Sequence, residues 1–213
     1  MVTTTTVTDV LLAVVIVAGI LYLRRTTPPS PLRTLWFVTL VVSATGALIG
    51  GSLHIIPMSD AVSVAAWGVL YLYLGIAISC LVAAVVGARR GYPAARRLLP
   101  YILGFTFLFS VFTQFTADHA MISAVYEGAA LLFALVVFGL LAVQGRAGMK
   151  LVTAGLLITI AGAAIAGMDA LNVRLIWDFD RNGLSHIGHM VGLAILIHGL
   201  RSSLAAGNPG VGA

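Results

Sequence analysis

Seven long apolar runs, each stopped by charge, proline or a polar turn, leave this chain little that could face water. They are Val10 to Leu23, Leu35 to Ile56, Asp60 to Val86, Tyr101 to Phe115, Met121 to Val143, Leu151 to Leu171 and Leu184 to Leu200. A membrane span takes about 20 predominantly apolar residues. Charged residues make up 9% of the 213 residues, whereas a soluble domain carries about 25%. The expectation is an all-α integral membrane bundle of seven transmembrane helices. Residues 1–204 form its single domain, and the remainder, 205–213, is a disordered tail.

Charge sets an orientation. Ten of the twelve Lys and Arg residues (Arg24, Arg25, Arg33, Arg89, Arg90, Arg96, Arg97, Arg146, Lys150 and Arg201) lie at one side of the expected membrane. The other side has Arg174 and Arg181, all seven acidic residues and every histidine except His198. By the positive-inside rule the N-terminus is outside and the C-terminus cytoplasmic. The net charge of +5 is then an orientation signal and not a nucleic-acid surface. Met1 to Asp9 is Thr-rich and holds no Lys or Arg, so it lacks the basic start of a signal peptide and the first run reads as an uncleaved span. With Cys80 as the single cysteine, no intrachain disulfide forms.

Small residues at four-residue spacing occur in the second run (Gly46 and Gly50, Ala47 and Gly51) and the sixth (Gly162 and Ala166, Ala163 and Gly167). In lipid such pairs let helix backbones approach, which here reads as ordinary bundle packing. Among Trp36, Trp67, Tyr71, Tyr92 and Trp177, those near span ends suit interfacial anchoring.

The chemistry gathers at the outer side. The seventh run opens Asp178-Phe-Asp180-Arg-Asn182-Gly-Leu-Ser185-His186-Ile-Gly-His189. On a helix, Asn182, His186 or Ser185, and His189 share one face. His54, near the outer end of the second run and at similar depth to His186, is the natural third imidazole. Three histidines with an open fourth position make the ligand set of a catalytic zinc, which acidifies its bound water. A hydrogen-bonded polar cluster without metal, or unrelated histidines at the headgroup level, remain open alternatives.

Of the carboxylates, Asp178 and Asp180 precede the last helix, where negative charge is favourable. Asp60 begins the third run as a candidate N-cap. Asp169 and Glu127 lie inside runs and are the preferred polar partners of the histidines. Asp118 and His119 fall in a short outer turn, and His198 lies near the inner end on another face. The only lysine is Lys150, which excludes a retinal Schiff base in the last helix. There is no phosphate-binding loop, dinucleotide fingerprint or nucleophile elbow. His54 and His186 as opposed axial ligands leave a haem or quinone carrier as a further class.

Seven spans with a His ending the second and a His pair opening the seventh resemble the CREST superfamily of alkaline ceramidases and progestin/adiponectin receptors. The strings Gly50-Gly-Ser-Leu-His54 and Asp178 to His189 are also similar to a group of bacterial membrane proteins of that layout. The resemblance implies a zinc-dependent hydrolase of a lipid amide or ester in a bacterial inner membrane, its site on the extracytoplasmic side. Zinc would be held by His54, His186 and His189, with Asp169, Glu127 or Asp60 as the catalytic carboxylate and membrane lipid as partner. A receptor-like, lipid-binding relative is the alternative. Three positions depart from the superfamily pattern. The last helix has His-x-x-His in place of His-x-x-x-His, its usual Ser is Gly50, and its third-span Asp is Ala65.

Overall fold

A computed structural model of the protein describes residues 4–116, 119–167, 173–174 and 178–206. It contains helices α1 (Thr4–Thr26), α2 (Pro31–Leu53), α3 (Asp60–Arg90), α4 (Tyr92–Thr113), α5 (His119–Val143), α6 (Met149–Ala166) and α7 (Arg181–Ala205). All seven are long and apolar enough to cross a membrane. Of the expected tail 205–213, α7 takes Ala205, Ala206 caps it, and the rest lies outside the described residues.

The helices outrun the apolar stretches. α1 continues through Arg24 and Arg25, and α3 through Arg89 and Arg90. α4 begins nine residues before the expected Tyr101, at Tyr92, with Pro93 in its first turn and Pro100 inside it. The reason is that Arg stems can lie along a helix while the guanidinium reaches polar surroundings. A charge ends an apolar run without ending the helix. α2 instead stops early: His54 is its C-cap and donates its backbone N–H to the Gly50 carbonyl at 3.3 Å. The polar segment before α7 contains a two-stranded antiparallel ladder, β1 (Val173–Arg174) against β2 (Asp178–Phe179), which the sequence does not announce.

Six helices pack as a ring in the order α1, α2, α3, α5, α6, α7 and back to α1, while α4 lies outside against α3. The seam of α4 is narrow and made of small hydroxyl residues. Thr106, Ser110 and Thr113 are buried, while Tyr101, Phe105, Phe107, Leu108 and Phe112 are exposed. Thr106 bonds Ser79 of α3 at 2.6 Å and Tyr126 of α5 at 2.9 Å.

α6 and α7 make the most extensive contact in the ring, and a heptad of glycines explains it. Gly148, Gly155 and Gly162 meet the backbone of α7 at Gly199, Gly192 and Ser185. A Cβ at Gly162 would stand 3.0 Å from the Ser185 carbonyl oxygen. Away from the α1 and α7 N-termini the ring is filled with side chains. Trp36 stacks on Phe138 at 6.2 Å, and Leu23, Val85, Phe138, Leu141 and Leu200 are fully buried. Trp36 is thus a core residue and not the interfacial anchor its position in the sequence suggested; Trp177 lies outside the described residues.

Candidate functional site

The N-termini of α1 and α7 are clasped together. Asp180 caps α7, accepting the Gly183 backbone N–H at 2.7 Å. Its other carboxylate oxygen accepts the Thr5 hydroxyl at 2.6 Å, and its backbone N–H reaches the Thr4 hydroxyl at 3.4 Å. Of the two acids expected to favour the start of the last helix by their charge, Asp180 does so as its N-cap. The Asp178 side chain lies outside the described residues.

This clasp brings Thr8 and Asp9 of α1 onto His186. The Thr8 hydroxyl lies 3.0 Å from His186 Nδ1 and 2.9 Å from the carbonyl oxygens of Thr4 and Thr5. A hydroxyl has a single proton. Given to the carbonyls of its own helix, it leaves the Thr8 oxygen to accept from His186 Nδ1–H. Nε2 then faces Asp9, whose Oδ1 is 3.5 Å away, and one proton serves that pair. Both side chains are largely buried, His186 at 18% exposure and Asp9 at 7%.

These groups line one end of an open-ended cavity of about 590 Å3 within the six-helix ring. Its walls change character along every helix. On α1, Thr5 and Asp9 give way to Leu12 and Ile16; on α7, Asn182, His186 and His189 give way to Leu193 and Leu196. On α2, read from its C-terminus, His54 and Gly50 lead to Leu40 and Trp36, and on α3 Trp67 and Tyr71 lead to Ile78 and Leu81. The hydroxyls of the deeper wall, Thr39 and Ser43, bond carbonyls of their own helix at 3.0 and 2.9 Å. They present little polarity inward.

The three expected imidazoles share this cavity but do not converge. His186 and His189 have ring centroids 6.3 Å apart, against roughly 5 Å for two rings on one tetrahedral zinc with bonds of about 2 Å. His54 is solvent-exposed and sets its ring edge-on to Trp67 at 5.3 Å. Among the described residues no group of three or more His, Cys, Asp or Glu is arranged to hold a metal ion. As the side chains stand, the three-histidine set does not fit zinc.

The carboxylates divide differently from expectation. Glu127 lines the cavity. Asp60 does not: it is exposed in the first turn of α3, whose N-cap is Ser59. Asp169 and Asp118 lie outside the described residues, as does the His119 side chain. Ser185 is buried with its backbone carbonyl against Gly162 of α6, and His198 sits exposed, away from the cavity, bonded to Tyr22 at 3.3 Å.

Asp9 is the residue that sequence reasoning missed, because a Thr-rich start reads as an exterior tail. A signal was present. Thr5, Thr8, Leu12 and Ile16 carry the spacing of one helix face back past the first apolar residue. Gly51 is the close approach to this acid: a Cβ there would lie 3.0 Å from the Asp9 Cβ.

A protein-family model described as a family of unknown function, DUF6962, matches residues 4–205. No curated protein and no solved structure matches the chain.

Proposed function

The chain belongs to DUF6962, a family of unknown function, and from that footing we propose that it is an integral membrane protein binding a lipid-like amphiphile in the ring cavity. The polar head lies among His54, His186, His189 and Asp9, and the hydrocarbon portion runs between Leu12, Leu40, Leu193 and Leu196. The observation that carries this reading is the single cavity whose lining passes from ionisable to aliphatic on helix after helix. Its volume falls within the about 300–1,000 Å3 usual for small-molecule sites, which combine apolar walls with a few placed polar groups. The ten basic residues at the far side of the bundle support an orientation with the histidine end outward and the C-terminus in the cytoplasm.

At the head, the Asp9–His186 pair offers one proton between a carboxylate and an imidazole, with Thr8 fixing the ring. That pair can accept a proton from, or donate one to, a bound head group. A zinc-dependent lipid amidase or esterase is the second reading, favoured by three imidazoles lining one cavity and by the CREST resemblance. It requires the rings of His54 and His189 to turn toward His186.

Native mass spectrometry of the protein extracted into lipid-bilayer discs tests the first reading. A retained amphiphile at near one per chain is expected, together with its loss in Leu193→Trp, which fills the aliphatic end. Equal retention in the folded Leu193→Trp protein would place the lipid outside the cavity and end the reading.

A further inference from the structure

Glu127 stands in the cavity wall, and among the described residues it has neither hydrogen-bond nor ion-pair partner. Its neighbour Tyr126 is turned away and satisfied by Thr106. The other cavity carboxylate, Asp9, is engaged by His186. Glu127 lies eight residues into α5 and His189 eight residues into α7, about 12 Å along each helix at 1.5 Å per residue. Asp9 and His186, five residues into their helices, lie at about 7.5 Å by the same measure. Glu127 thus lies about 4.5 Å farther along its own helix than Asp9 and His186 do along theirs.

A carboxylate facing a low-dielectric space without a partner is costly, and such groups in membrane helices mark ligand or ion paths. Among the described residues the lining has no Lys or Arg to balance it. The Asp9–His186 pair shares one proton and so carries no net charge. Glu127 is then the one uncompensated carboxylate among the described lining residues, which disfavours phosphate and carboxylate heads and favours a cationic hydrogen-bond donor. We propose that Glu127 selects amphiphiles carrying a primary amine at the head, the ammonium donating to its carboxylate. This rests on the cavity being an amphiphile site and adds the chemical class of the head.

Trp36 and Trp67 line the cavity, so a brominated chain entering it quenches their fluorescence. The full-length protein in detergent is titrated with terminally brominated undecylamine, undecanol and undecanoate. The amine is expected to quench at a concentration at least about tenfold lower than undecanoate, the worth of one hydrogen bond to a charged group. Glu127→Gln is expected to erase that preference and leave undecanol unchanged. Undecanol quenching with no amine preference in the wild-type protein overturns the role of Glu127 while sparing the cavity reading. So does an amine preference that survives Glu127→Gln. No quenching by any of the three overturns both.

Discussion

Asp9 enters the site because it lies one turn after Thr5 on the face of α1 that meets α2 and α7. Gly51 admits it: a Cβ there would stand 3.0 Å from the Asp9 Cβ. His186 is held by two neighbours of the same helix, Thr8 at Nδ1 and Asp9 at Nε2. With Nδ1 held by Thr8, His186 has only Nε2 to offer a metal, and Asp9 faces that nitrogen. The 3.5 Å between Nε2 and Oδ1 is long for a hydrogen bond. It is close to the roughly 3.4 Å edge between two donors of one tetrahedral ion with bonds of about 2 Å. The zinc reading therefore has a sharp expectation at this scale. If that second reading holds, elemental analysis of tag-free protein finds about one zinc per chain, lost in both His54→Ala and His186→Ala, whereas wild-type protein without zinc overturns it. Zinc content that is the same in wild type and both variants removes the shared site.

Between elements, the α6–α7 seam fixes where His186 and His189 stand. Three glycines seven residues apart give α6 a flat strip, and α7 presses its backbone onto it. Gly148 adds a backbone reason, because its φ of 76° lies in the left-handed region where a Cβ is strained. At Gly192 a Cβ would stand 2.6 Å from the Gly155 carbonyl oxygen, and backbone on both sides cannot yield as a side chain does. Gly192→Val should therefore destabilise by about 1–3 kcal/mol, lowering Tm by roughly 2 to 12 °C. Gly104, where nothing lies within 4 Å of an added Cβ, is the control. Gly104→Ala should stay within about 0.5 kcal/mol. Thermal unfolding of both variants in one detergent checks the pair, and equal Tm values would mean the seam is looser than it stands.

For the whole molecule, a closed ring of six helices with α4 outside explains why so little of α4 is buried and why none of its residues lines the cavity. The ring is shut by side chains at the basic side, so the cavity belongs to the end bearing the histidines. Orientation is testable with cysteines, since Cys80 is buried and shielded from a membrane-impermeant maleimide. Ser59→Cys, before α3, should label in intact cells. Ala147→Cys, between α5 and α6, should label only after permeabilisation. The reverse pattern would put the histidines inside.

Seven helices and their all-α class were legible from the sequence because a long apolar run has few stable backbone conformations in lipid. The histidines were legible too, since an ionisable group among aliphatic residues stands out by cost alone. Helix ends were not, at Tyr92 and at Leu53, because charge and helix boundary are different things. Which groups meet was decided by the tertiary structure. Asp60 and Asp9 are both acids at the same end, yet only Asp9 reaches His186. Hydropathy records how far along a helix a residue lies but not which way the helix is turned. That rotation comes from close backbone contacts, Gly51 under Asp9 and Gly192 against Gly155, which exist only once the helices have packed.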